Sequence, residues 1–178
     1  MTTNSVRSTL DRELHAVSDD ILRLGSLVEM AIERSVAALK QRDMKMAQQV
    51  IDDDQTVNKL RFQIEEECLK LIATQQPAAS DLRAIIAATH VAVDLERIGD
   101  HCTGIAAITI RMQDQPLLKP SIDLPLMAAI AKEMTHSALD AFVRRDAELA
   151  RQIVKRDDDI DQLYQQIFRE LLTYMLED

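Results

Sequence analysis

ALKQRDMKMAQQVIDDDQTVNKLRFQIEEECLKLIA, residues 38–73, lies in register with AFVRRDAELARQIVKRDDDIDQLYQQIFRELLTYML, residues 141–176. Eleven of the 36 positions are identical at a constant offset of 103, with no gap. Chance gives about two or three, so the chain carries an internal repeat. The identities include Ala38/Ala141, Arg42/Arg145, Asp43/Asp146, Asp54/Asp157, Leu60/Leu163 and Ile64/Ile167. An Arg-Asp pair falls at the same point in both copies. It reads as a hinge that ends one helix and caps the next.

Working outward, residues before the first hinge form helix A. Leu10, Leu14, Val17, Ile21, Leu24, Val28 and Ala31 follow a four-three spacing, a coiled-coil-like seam. Helix B carries Met46, Val50, Val57, Leu60, Ile64, Cys68 and Leu71, and Pro77 stops it. Helix C runs from about Ser80, the expected N-cap, to about Met112. In the second copy, helix A is expected over 126–143 and helix B over 147–177. A third helix there would start near residue 181, beyond Asp178. The expected organisation is a first three-helix unit over 1–112, a proline-containing linker over 113–125, and a second unit over 126–178 with helices A and B only. The fold class is all-α, a tandem repeat of antiparallel three-helix units, the second without its third helix. Leu149, Ile153, Ile160, Leu163 and Ile167 should then be partly uncovered, so self-association through the second unit, or a partly melted C-terminal pair of helices, is expected.

Composition agrees. The 178 residues hold 3 Gly, 4 Pro and 5 aromatic residues without Trp, too few turn formers for many short strands. The net charge of −9 argues against a nucleic-acid binder, which needs a basic patch. The two parts about the linker are both acidic, so charge gives them no different partners. Two cysteines, Cys68 and Cys102, make neither a disulfide framework nor a zinc site. The first residues lack the apolar run of a signal peptide, and nothing approaches a membrane span. A soluble, cytoplasmic protein without membrane insertion is expected.

Candidate chemistry lies in carboxylates. Asp54 sits on the apolar seam of helix B, between Val50 and Val57, with Asn58 one turn on. Asp157 and Asp161 repeat that arrangement. A carboxylate on a seam must be paired, hydrogen-bonded or metal-bound, although Asp52-Asp53-Asp54 and Asp157-Asp158-Asp159 also read as solvated charge runs. Helix C contributes Glu96 and Asp100, one turn apart on a face otherwise built of small or apolar residues; such a pair repels unless a cation lies between. That cation could equally be a neighbouring Arg or Lys. If the helix B and helix C groups face each other, four oxygen-bearing side chains converge. Hard oxygen ligands suit magnesium, manganese, calcium or iron. Gly99 and Gly104 would let another backbone approach helix C.

Other signals compete. Glu133 and His136 match one Glu-x-x-His of a carboxylate-bridged di-iron bundle, which needs two; the match reads as coincidence. His90 and His101 lie on the polar face of helix C and could be acceptors in a histidine phosphotransfer module. Cys68 reads as packing rather than nucleophile.

The string Asp94-Leu95-Glu96-Arg97-Ile98-Gly99-Asp100-His101, with the tandem helical copies and their Arg-Asp hinges, resembles the PhoU family of phosphate-uptake regulators. The resemblance covers nearly the whole chain. It implies metal binding, in some members as iron clusters, through acid-x-x-x-Asp motifs: Glu96 and Asp100 first, then Asp54 with Asn58, and Asp157 with Asp161. It further implies a non-enzymatic regulator that restrains the phosphate-starvation response. Its implied partners are the ATPase subunit of a phosphate ABC transporter, a membrane sensor histidine kinase, and a second copy of itself. The family's sixth helix is missing, which leaves the second metal site open. The alternatives are a di-iron oxidase and a phosphotransfer module.

Overall fold

The computed structural model describes residues 2–112 and 123–177. Six helices form: α1 (Thr2–Gln41), α2 (Met44–Gln75), α3 (Ala79–Arg111), α4 (Asp123–Arg144), α5 (Ala147–Lys155) and α6 (Asp157–Glu177). No strand occurs among the described residues, and no described helix is long and apolar enough to cross a membrane. The expected all-α architecture is the one observed.

The repeat is visible in backbone geometry. At the first hinge the Arg42 N–H donates to Leu39 O and the Asp43 N–H to Ala38 O, at 3.4 and 3.0 Å. At the second, Arg145 donates to Phe142 O and Asp146 to Ala141 O, at 3.2 and 2.8 Å. Both pairs make the same six-to-one and five-to-two helix ending, which requires a left-handed residue. Arg42 and Arg145 supply it, with φ of 57° and 55°. The aspartate then caps the next helix: Asp43 accepts from the Met46 N–H, and Asp146 from the Glu148 and Leu149 N–H groups. Ala38 and Ala141, whose carbonyls accept the longer bond of each turn, are buried.

The helices run antiparallel. As α1 advances from Asp20 to Arg34, its partner on α2 retreats from Gln63 to Gln49. Along α2 and α3, Cys68 meets Thr89 while Val57 meets Gly99. The chain divides into two compact units, Met1–Val28 with Asp52–His101, and Glu29–Ile51 with Cys102–Asp178. In the first, Val17, Ile21, Leu24, Val57, Ile64, Ile85 and Leu95 form the buried core, so the seams expected on helices A and B do face inward. In the second, Ile32, Ala38, Val50, Ala106, Leu139 and Ala141 are buried, and α4 packs against α5 and α6.

Four expectations are corrected. Helix C starts at Ala79, and the Leu82 N–H donates to Ala78 O, so Ser80 is not the cap. The preceding turn is set by Gln76, at φ 46°, ahead of Pro77. The expected linker is shorter at its end: α4 takes Asp123–Pro125, and a proline is tolerated in a first turn because its missing N–H has no acceptor there. Residues 113–122 lie outside the described residues. The second helix B is two helices, not one, so residues 126–178 do not hold helices A and B only. At Arg156 φ is −75° and ψ −11°, and its N–H bonds back to Ile153 O and Val154 O. Arg156 also reaches across to Glu133 on α4, at 2.6 Å. Asp157, Asp158 and Asp159 follow at once, and acids in a first turn favour a new helix N-terminus. Copy one has Asp53 in place of Arg156, and there α2 runs unbroken. Last, Gly104 has nothing within 4 Å of where its Cβ would stand, so no backbone among the described residues exploits it.

Candidate metal site between α2 and α3

Gly99 fixes how α3 meets α2. It is buried, and a Cβ built on it would stand 3.3 Å from Val57 Cγ1 and 3.4 Å from Asp54 Oδ1. A glycine there lets the α3 backbone lie against the Asp54 carboxylate. Asp54 is half-buried because its seam position points it inward with Val50 and Val57. Asn58, one turn on, donates through Nδ2 to Asp54 Oδ2 at 2.8 Å. The other oxygen, Oδ1, is buried without a hydrogen-bond partner.

An orphaned carboxylate oxygen is costly, about 1–3 kcal/mol for an unsatisfied buried group and more for a charged one. The electrostatics register this. Burial pushes the Asp54 carboxyl above the ordinary carboxylate range, the Asp100 charge pushes the same way, and the Asn58 amide only partly opposes both. Asp54, Asn58 and Asp100 are therefore brought together, across α2 and α3 and inside one compact unit. Glu96 stands one turn before Asp100 on α3, half-buried.

The donor set fits a hard cation. It offers carboxylate and amide oxygens, one of them unpartnered, in a place that disfavours two negative charges. It does not form a closed cage: among the described residues no three His, Cys, Asp or Glu side chains converge as a metal-holding group. Water would complete the coordination of any ion held there.

The remaining sequence candidates fall elsewhere. Asp157 and Asp161 are exposed on α6, and no third acid, cysteine or histidine joins them among the described residues. His90 and His101 are exposed on α3. Glu133 and His136 do not act together: Glu133 pairs with Arg156, while His136 Nδ1 lies 3.1 Å from Glu29 Oε1 on α1. One turn away Lys132 pairs with Glu33 at 2.5 Å, holding the Glu33 carboxyl below its ordinary range and the lysine above its own. This two-rung ladder between α1 and α4 escaped the sequence reading. Its members lie 107 and 99 residues apart, and no periodicity signals such a pairing.

Comparison with known proteins bears on this geometry. Residues 21–109 and 124–178 match the family described as PhoU domain. The chain is 37% identical over 169 residues to the phosphate-specific transport system accessory protein PhoU homolog of Aquifex aeolicus, covering 95% of this chain and 76% of that one. It is 34% identical over 176 residues to the phosphate-specific transport system accessory protein PhoU of Escherichia coli, covering 97% and 72%. Among solved structures, PhoU from Pseudomonas aeruginosa superposes with a TM-score of 0.89 at 38% identity, covering 94% of this chain and 81% of that one.

Proposed function

The chain belongs to the PhoU family, and on that premise we propose that it is a regulatory accessory protein of phosphate uptake which binds a metal ion through carboxylates and works by association rather than catalysis. It acts as an adaptor between the ATPase subunit of a phosphate ABC transporter and a sensor histidine kinase, in the cytoplasm, as a homodimer. The names of its relatives support the transport role. The observation that supports the metal is the orphaned Asp54 oxygen beside Asp100, with Gly99 leaving room between the helices.

In this reading Asp54, Asn58, Glu96 and Asp100 hold iron, manganese or magnesium. A bound cation would neutralise the two carboxylates and pin α2 to α3. The residues do the rest: Asn58 orients Asp54 through its amide, and Gly99 sets the spacing. Asp157 and Asp161 would serve a second site only with donors beyond those described here.

Two experiments test the proposal. Glu96→Ala with Asp100→Ala should abolish metal uptake at this site, measured by elemental analysis after reconstitution, with helical content unchanged. Unchanged stoichiometry would refute the site. Deleting the protein should leave phosphate-responsive genes expressed in phosphate-rich medium; normal repression of an alkaline phosphatase reporter would refute the regulatory role.

A further inference from the structure

The two oxygens of Asp54 have different surroundings. Oδ1 lies on the α3 side, 3.4 Å from where a Cβ of Gly99 would stand, and is buried without a partner. Oδ2 is turned along its own helix and accepts from Asn58 Nδ2 at 2.8 Å. Asn58 is half-buried one turn away on the same face of α2. A hydrogen bond to an ionised acceptor is among the strong ones, and its polar N–H repels a cation that approaches the same oxygen.

This difference limits how many ions the groove can take. Two-metal sites hold their ions about 3.5–4 Å apart, where the ions repel each other strongly. Carboxylates that give one oxygen to each ion offset that repulsion. Asp54 has only Oδ1 to give. Charge points the same way: Asp54, Glu96 and Asp100 are three carboxylates, Asn58 is neutral, and two divalent cations bring four positive charges. The register of the helices adds a third reason. Val57 meets Gly99 and Cys68 meets Thr89, so Glu96 stands level with α2 just beyond Asn58, and Asp100 on the Asp54 side. The next residue on that stripe of α2 is Arg61, half-buried and paired with Glu65 at 3.0 Å. A fixed guanidinium therefore stands at the level of Glu96, where a second ion would need to sit.

We infer that the α2–α3 groove takes a single divalent cation, held from the Oδ1 side of Asp54, and that Asn58 and Arg61 keep out a second. This rests on the metal reading above, and adds to it the count of ions and the residues that limit it.

The test uses manganese(II) and the full chain carrying Asp157→Asn and Asp161→Asn, so that the α6 pair contributes nothing. After loading and desalting, metal is counted by elemental analysis and read by electron paramagnetic resonance. This parent should hold one manganese per chain, with the hyperfine-split signal of an isolated ion. Adding Asn58→Asp and Arg61→Gln frees Asp54 Oδ2, supplies a fourth carboxylate and removes the guanidinium. That variant should hold two per chain, and the isolated-ion signal should give way to an exchange-coupled one. Circular dichroism checks that it folds; Asn58→Asp alone, which keeps the Arg61–Glu65 pair, replaces it otherwise and should likewise take up a second ion. A parent with two coupled ions overturns the inference and leaves the metal reading standing. A folded variant that still holds one ion overturns the part given to Asn58 and Arg61. A parent that retains no manganese overturns the metal reading and the inference together.

Discussion

Gly99 and Gly104 set up a matched experiment within one helix. Both lie inside α3, where replacing glycine by alanine stabilises by about 0.8–1 kcal/mol through backbone entropy alone. At Gly104 nothing stands within 4 Å of the new methyl, so Gly104→Ala should realise the whole gain. For a chain of this size that is about 2–4 °C in Tm. At Gly99 the methyl would arrive 3.3 Å from Val57 Cγ1, closer than comfortable packing, and 3.4 Å from Asp54 Oδ1. Val57 is buried and β-branched, so it has few rotamers into which to retreat. Overpacking of that kind costs about 1–3 kcal/mol, which cancels or exceeds the propensity gain. The two variants should therefore differ by roughly 1–2 kcal/mol in urea unfolding, with Gly104→Ala the more stable. Gly99→Ala should also weaken metal uptake, because its methyl occupies the space beside the unpartnered oxygen. A Gly99→Ala protein as stabilised as Gly104→Ala, with normal metal content, would refute the argument that close helix approach builds the site.

Three further outcomes are expected. Arg42→Gly and Arg145→Gly should each stabilise by about 0.5–1 kcal/mol, since a non-glycine residue at positive φ costs about 1–2 and glycine returns part of that as unfolded-state entropy; a loss of stability in thermal melts would contradict the strain. In metal-free protein, Asp54→Asn should be more stable than the parent at neutral pH. The raised Asp54 carboxyl makes the folded state bind its proton more tightly than the unfolded state, so stability falls as pH rises from the unfolded value through the folded one; the advantage should disappear below the ordinary aspartate range, and melts at acidic and neutral pH would show it. Leu60→Ala and Ile64→Ala should cost about 2–5 kcal/mol each, whereas Leu163→Ala and Ile167→Ala, at the equivalent but half-exposed positions, should cost far less in chemical unfolding.

Much of this was legible because local rules and the repeat agreed. The four-three seam of α1 faces the core because most of its apolar residues recur on that face, although Leu22 and Met30 stay exposed on others. The Arg-Asp hinge was readable from its recurrence, although sequence could not show that arginine, rather than glycine, would take the left-handed position. The break at Arg156 was hidden for a physical reason. Its neighbours keep helical periodicity, and the Arg156 side chain pairs with Glu133 on another helix, a contact no local pattern signals. The candidate site was half legible. Asp54 stood out as an acid on an apolar seam, and Glu96 with Asp100 as acids on a small face. That Asp100 presses on Asp54 depends on how closely two helices approach, which Gly99 decides and a single helical wheel cannot show. In copy one Val57, Leu60 and Ile64 are buried, while their counterparts Ile160, Leu163 and Ile167 remain half-exposed.

The turn at Arg156 leaves α5 as nine residues with none buried, bounded by the Asp146 cap on one side and a tightened turn on the other. A segment so short falls below the length at which a helix sustains itself. It is held by its cap and by contacts with α4 and α6. Its amides should therefore exchange with solvent through local fluctuation, at rates set by those few contacts rather than by global stability. A molecule that clamped α5 would slow that exchange while moving almost no atom on average.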